Sequence, residues 1–265
     1  MSLSLGNAIA VSTNFIKSNP AVPVYKGEEN PNNLYAVIYH IEIGYSEVAS
    51  QKTKQYIIID GKPIYEYCLL QFYRNKNIDK IILVTDNIYY DKVKDYISLQ
   101  KYDNKCEVTI GGKSRKESVL NALIYLGNKI DKEDIVLVHD SARPLVDETI
   151  INDNIKVASC NKIAVTAIKA TSTLVEIDTD NKSTKNYLDR SKIMEIQTPQ
   201  SFKFSKFLKV SEYYREKSEQ TDDSQIFFKA GEKLEFVKGN CFNFKITTME
   251  DIKLFMTIMN SKMWG

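Results

Sequence analysis

Ile135-Val136-Leu137-Val138-His139-Asp140-Ser141-Ala142-Arg143-Pro144 joins four consecutive apolar residues to a short polar run ending at a proline. Apolar residues in an unbroken row, without polar alternation, mark a strand covered on both faces. Similar runs stand at Leu34 to Ile41, Ile81-Ile82-Leu83-Val84, Cys106 to Ile110 and Ile163 to Ile168. Helix signals lie between them. Pro63 suits a first helical turn, where a missing N–H costs nothing, and a second helix is expected near 89–100. Strands alternating with helices build a mostly parallel central sheet, so the expected fold class is α/β. In such sheets ligands sit beyond the carboxyl ends of the strands, near the point where strand order reverses. Asp140 and Ser141 fall at such an end.

The rest of the chain fits this frame. It has 265 residues, 43% hydrophobic and 26% charged, which allows a sizeable core. A net charge of +2 gives no bulk electrostatic case for nucleic acid or an anionic membrane. No apolar run approaches the ~20 residues of a membrane span. The start, Met1 to Pro20, lacks a basic leader and does not read as a signal peptide. Cys68, Cys106, Cys160 and Cys241 are scattered and only two histidines exist, so a structural zinc site is not expected. The thiols read as buried and reduced, in a cytoplasmic protein. Residues 1–33 read as a polar extension and 34–265 as the folded domain. Within it, about 169–193 reads as a β-hairpin excursion, followed by helices near 204–217 and 222–230 and a strand near 234–238. A final helix is expected from about 248, opened by the capping-box spacing Thr247-x-x-Glu250.

Five stretches carry candidate chemistry, and each also has a plain structural reading. Gly111-Gly112-Lys113-Ser114-Arg115-Lys116-Glu117-Ser118 precedes a helix capped by Ser114 and Glu117. Free amides and a helix dipole there suit an anionic ligand, but a tight turn would look the same. Asp140 to Pro144 offers a carboxylate for a metal–phosphate complex or a ribose, or simply an Asp–Arg pair. Lys245, in Asn243-Phe244-Lys245-Ile246-Thr247, is a compact point charge for phosphate or a surface lysine. The others are Leu188-Asp189-Arg190 with Gln197-Thr198-Pro199-Gln200, and Thr221-Asp222-Asp223.

In this order the blocks resemble the 2-C-methyl-D-erythritol 4-phosphate cytidylyltransferase family and the related ribitol 5-phosphate cytidylyltransferases. His139 to Pro144 is similar to the family's H-D-A-A-R-P string, with Ser141 for an alanine. Gly111 to Ser118 resembles G-G-x-x-R-x-x-S. Gln197 to Gln200, Thr221 to Asp223 and Asn243 to Thr247 match Q-T-P-Q, T-D-[DE] and N-x-K-[IV]-T. The resemblance implies a Rossmann-like three-layer sandwich of the nucleotide-diphospho-sugar transferase type. It also implies transfer of CMP from CTP to a sugar-alcohol phosphate, with Mg2+ and release of pyrophosphate, as a step of isoprenoid biosynthesis. By the same resemblance Gly111, Gly112 and Ser118 take the cytosine and ribose end. Asp140 and Ser141 lie near ribose and phosphates, with Asp140 close to the Mg2+–triphosphate. Lys54 and Lys245 face the phosphates. Thr171 and Arg190 belong to an arm that crosses a homodimer, where Arg190 holds the sugar phosphate in the partner's site.

Glycine is scarce, ten residues where about 7% of the chain is usual, and the shortage has an address. After its first strand the family has a glycine-rich loop of the form A-A-G-x-G-x-R. Here the stretch reads Ile41-Glu42-Ile43-Gly44-Tyr45-Ser46-Glu47, and counting back from Lys54 puts Glu47 at the arginine position. A carboxylate facing a polyanion opposes such chemistry, and Lys52 offers substitute charge. Three readings follow: an active cytidylyltransferase with a remodelled loop; a non-catalytic nucleotide-binding or scaffolding relative; and a transferase with another nucleotide or acceptor, with ribitol 5-phosphate the nearest alternative acceptor.

Overall fold

A computed structural model of the chain describes residues 33–39, 54–127, 129–178, 182–215 and 222–261. The extension up to residue 32 and the loop with Glu42, Gly44, Glu47 and Lys52 lie outside them.

Each apolar run named above is a strand. In chain order the strands up to Lys169 are β1 (Leu34–Tyr39), an added short pair β2 (Ile58–Ile59) and β3 (Lys62–Pro63), β4 (Lys80–Thr85), β5 (Cys106–Ile110), β6 (Ile135–Asp140) and β7 (Ile163–Lys169). The sequence after Lys169 forms β8 (Leu174–Ile177) and β9 (Thr184–Leu188), an antiparallel pair outside the main sheet. Then come β10 (Met194–Lys203) and β11 (Leu234–Lys238). Seven strands make one sheet in the order β11-β7-β10-β6-β1-β4-β5, parallel except for β10. From β1 the chain builds outward through β4 to β5, then returns to place β6 on the other side of β1. Strand order reverses there, and Asp140 is the last residue of β6, paired in register with Tyr39.

Helices cover both faces. α1 (Ile64–Arg74), α2 (Tyr90–Leu99) and α4 (Glu148–Ser159) pack on one side. There Leu69, Val93 and Ile151 meet Ile38, Leu83 and Leu137. α3 (Arg115–Leu126), α5 (Phe204–Arg215) and α6 (Ser224–Lys229) cover the other. There Leu123, Phe207 and Phe227 meet Val37, Val84, Val138 and Phe202. Alternate residues of each central strand thus feed opposite cores, which explains the continuous apolar runs. Truncating such a side chain, Leu137→Ala for example, costs about 2–5 kcal/mol. The last helix, α7 (Met249–Asn260), closes a third cluster in which Phe255 packs edge-on against Tyr67 at 5.1 Å.

The structure corrects three local expectations. The final helix is capped one residue later than Thr247-x-x-Glu250 suggests: Thr248 is the N-cap and Asp251 completes the box. Thr247 still contributes, since its amide and hydroxyl both donate to Asp251 Oδ2 at 2.8 Å. Only Cys68 and Cys106 are buried, whereas Cys160 and Cys241 are exposed. β10 and α4 were not anticipated. β10 carries Glu195, Gln197, Thr198 and Gln200, and its Thr198–Pro199 peptide is cis. Among the described residues, no helix is long and apolar enough to cross a membrane.

Candidate active site

The carboxyl edge of the sheet brings two of the predicted groups together. At the end of β6, the Asp140 carboxylate is almost fully buried. Its Oδ1 accepts the Ala142 amide at 3.0 Å, and Lys245 Nζ stands 2.7 Å from Oδ2. Burial pushes the Asp140 pKa up, but Lys245, Arg143 and the Ala142 amide outweigh it and the net shift is downward. Asp140 is therefore held as a carboxylate, while Lys245 remains partly open to solvent. The cation paired with Asp140 is Lys245, and Arg143 Nη1 donates to the carbonyl of Asn243 at 2.8 Å. Beside Asp140, Ser141 Oγ is buried with no hydrogen-bond partner among the described residues.

Behind Asp140 lies a buried polar layer. The Asp140 amide donates to Thr198 Oγ1 at 3.1 Å, and that hydroxyl sits 3.0 Å from His139 Nδ1. His139 Nε2 faces the carbonyl of Arg143 at 3.1 Å. Burial lowers the His139 pKa to about 4, so the ring is neutral at physiological pH. Asn243 Nδ2 donates to the carbonyl of Thr198 at 2.8 Å and to Gln197 Oε1 at 3.1 Å. Sequence reasoning quoted His139, Thr198 and Asn243 inside motifs without giving them a role. Their contacts join positions far apart in the chain, which spacing does not reveal.

The second predicted group, Gly111, Gly112 and Ser118, forms the turn between β5 and α3. Ser114 caps the helix by accepting the Glu117 amide at 3.2 Å, and Glu117 Oε2 accepts the Lys113 amide at 2.8 Å. Ser118 lies buried beneath the turn, where its Oγ accepts the Gly112 amide at 3.0 Å. A Cβ on Gly112 would come within 2.2 Å of Glu117 Cβ, and one on Gly111 within 2.6 Å of Ser118 Oγ. Close packing of the capped helix on its own turn therefore requires glycine at 112, while at 111 a Cβ would have to displace the Ser118 hydroxyl. Arg115, in the same motif, makes a buried ion pair with Asp223. That contact ties the glycine turn to the 222–223 segment, a link sequence reasoning did not make. Next to it, Asp222 Oδ1 accepts the Ser224 hydroxyl and the Gln225 amide at the start of α6. Thr221 lies outside the described residues.

Thr171 and Arg190 meet each other near the base of the β8–β9 hairpin, where Arg190 Nη1 donates to the Thr171 carbonyl at 2.7 Å. Both are exposed. Lys54 opens a short 3-10 turn, Lys54–Tyr56, and its side chain lies outside the described residues. Tyr56 anchors that turn to the sheet edge. Its hydroxyl is 2.5 Å from Thr85 Oγ1 at the end of β4, and its ring stacks on Tyr89 at 3.8 Å. Among the described residues, no group of three His, Cys, Asp or Glu is placed to hold a metal ion.

A family model for 2-C-methyl-D-erythritol 4-phosphate cytidylyltransferase matches residues 42–261. The chain belongs to this family. A relative of that name from Clostridium beijerinckii is 39% identical, over 77% of this chain and 88% of its own length. A ribitol-5-phosphate cytidylyltransferase from Vibrio parahaemolyticus is 32% identical, over 86% of this chain and 96% of its own. Among solved structures, 4-diphosphocytidyl-2C-methyl-D-erythritol synthase from Anaerococcus prevotii superposes with a TM-score of 0.72 at 29% identity. It covers 86% of this chain and 99% of that one. The family match includes the stretch from Glu42 to Glu47, so the departures there sit inside the matched region.

Proposed function

We propose that this member of the family transfers CMP from CTP to 2-C-methyl-D-erythritol 4-phosphate and releases pyrophosphate. The observation that carries the reading is the pair of buried Asp140 and half-open Lys245 at the point where strand order reverses. In an in-line displacement an acceptor phosphate oxygen attacks the α-phosphorus of CTP, and the bond to the pyrophosphate oxygen breaks. Such chemistry relies on positioning and on stabilising charge.

Each group has a task in this reading. Gly111, Gly112 and Ser118 form the wall for the cytosine and ribose end. They lie three strands from Asp140, roughly 14 Å at normal strand spacing. That distance suits an extended nucleotide with its phosphates over Asp140. Ser141 Oγ, buried without a partner, is available to a ribose or phosphate oxygen. Lys245 turns towards the triphosphate, and Lys54 adds charge from its turn. Mg2+ fits as a companion of the triphosphate, because among the described residues Asp140 belongs to no group of three metal-ligating side chains and phosphate oxygens must supplement it. Asp140 would hold it there, where the ion would spread charge on the phosphates. Thr171 and Arg190 are too exposed to form a site by themselves, which supports a homodimer in which the hairpin serves the partner's acceptor phosphate.

The Vibrio relative favours ribitol 5-phosphate as the second acceptor. Pyrophosphate release from purified protein with CTP, Mg2+ and each acceptor separates the readings. Faster turnover with methylerythritol phosphate is expected. Preference for ribitol 5-phosphate would move the assignment to the pentitol branch. Silence with both, with CTP still bound in calorimetry, would make this chain a non-catalytic relative and place the fault in the Glu42–Glu47 loop.

A further inference from the structure

His139 and Thr198 belong to a closed ring of hydrogen bonds. Thr198 Oγ1 contacts His139 Nδ1, His139 Nε2 contacts the Arg143 carbonyl, Arg143 Nη1 donates to the Asn243 carbonyl, and Asn243 Nδ2 returns to the Thr198 carbonyl. The polarity of the ring follows from its members. A carbonyl only accepts, so Nε2 must carry a proton. In a neutral ring Nδ1 is then an acceptor, and the Thr198 hydroxyl spends its single proton on it. The hydroxyl oxygen is left to accept the Asp140 amide.

This ring grips both partners of the catalytic ion pair. Asp140 is held through its own amide. Lys245 lies between Asn243, tied to Arg143, and Ile246, whose amide donates to the Ala142 carbonyl at 2.8 Å. We propose that His139, fixed as its Nε2–H tautomer and bridged by Thr198, is a positioning residue that sets Asp140 and Lys245 for phosphoryl chemistry without touching substrate. The inference rests on the transferase reading above.

Thr198→Val keeps the shape of the side chain and removes the hydroxyl, whereas Thr198→Ser keeps the hydroxyl. Thr198→Val is expected to lower kcat about 10–100-fold, the usual cost of losing an orienting partner, with the KM for CTP changed by less than about threefold. Thr198→Ser is expected to stay within about threefold of the parent kcat. Independently of activity, 15N-edited NMR of the unsubstituted protein is expected to show one histidine with a protonated Nε2 and a bare Nδ1. Only His40 need be separated from it, by His40→Gln. An Nδ1–H tautomer, parent-like kcat in Thr198→Val, or equal losses in the Ser and Val variants would overturn the proposal. If Thr198→Val fails to fold, the tautomer and the Ser variant still decide. No turnover by the unsubstituted protein would count against the reaction assignment, while the tautomer still reports on the ring.

Discussion

The 139–144 segment and the 174–188 hairpin are both charged or polar departures from a regular α/β sheet, yet they are built in opposite ways. Around Asp140, buried polar groups find partners some 60 to 100 positions away in sequence, at Thr198 and Asn243, and leave Ser141 Oγ over. Along the hairpin the reverse holds. Val175, Ile177, Tyr187 and Leu188 are apolar or aromatic and exposed, Tyr187 at 71%. One region is held by contacts within a single chain, and the other presents apolar surface that none of the described residues covers. Exposed apolar clusters of this kind mark contact surfaces. The region around Asp140 therefore draws its precision from intrachain contacts, and the exposed hairpin is the surface on which the proposed homodimer rests.

Substitutions can break this contrast, and their expected cost to the chain's own stability falls steadily from floor to hairpin. Asp223→Ala leaves Arg115 charged and buried without its carboxylate, and should destabilise by about 3–5 kcal/mol in chemical unfolding. A loss below that of a surface change would mean that the pair does not tie the glycine turn in place. Gly112→Ala forces a Cβ into Glu117 and should cost about 1–3 kcal/mol, with weaker CTP binding by calorimetry.

Glu107, at the rim of the sheet, tests a milder case. Burial raises its pKa, but hydrogen bonds from Lys129, Lys80 and Tyr125 outweigh it and hold the value down at about 2. A depressed carboxylate stabilises above its unfolded value near 4.5 and loses that contribution as pH falls towards 2. Glu107→Gln should therefore flatten the acid limb of the thermal melting profile between those values. The effect should stay within about 1 kcal/mol because the group is largely solvent-screened. Tyr187→Asp should change unfolding by no more than about 0.5 kcal/mol, yet shift the protein towards monomer in sedimentation. A large loss of stability instead would place Tyr187 in the intrachain core.

Much of this was legible in advance, for physical reasons. Doubly covered strands such as Ile135–Asp140 announce themselves through unbroken apolar runs, and Ser114 with Glu117 signals its own cap. Met194–Lys203 hid because most of its buried residues, Gln197, Thr198, Gln200 and Ser201, are polar, and Phe202 alone does not make an apolar run. The last helix was capped one residue late because Thr247/Glu250 and Thr248/Asp251 offer the same spacing in adjacent registers, and only geometry chooses between them. The Asp140–Lys245 pair was visible as two motif residues, but not as a pair. The ring through His139, Thr198 and Asn243 left no trace in spacing.

The contrast itself is tested by mixing two damaged proteins. Lys245→Ala disables the floor and Arg190→Ala disables the hairpin, and each alone should lose most cytidylyl transfer. If the hairpin serves the partner's floor, a re-equilibrated equal mixture contains mixed dimers with one intact site. It should regain about a quarter of the parent rate of pyrophosphate release, the share expected for a two-fold dimer. A mixture no faster than the average of its components would contradict the account.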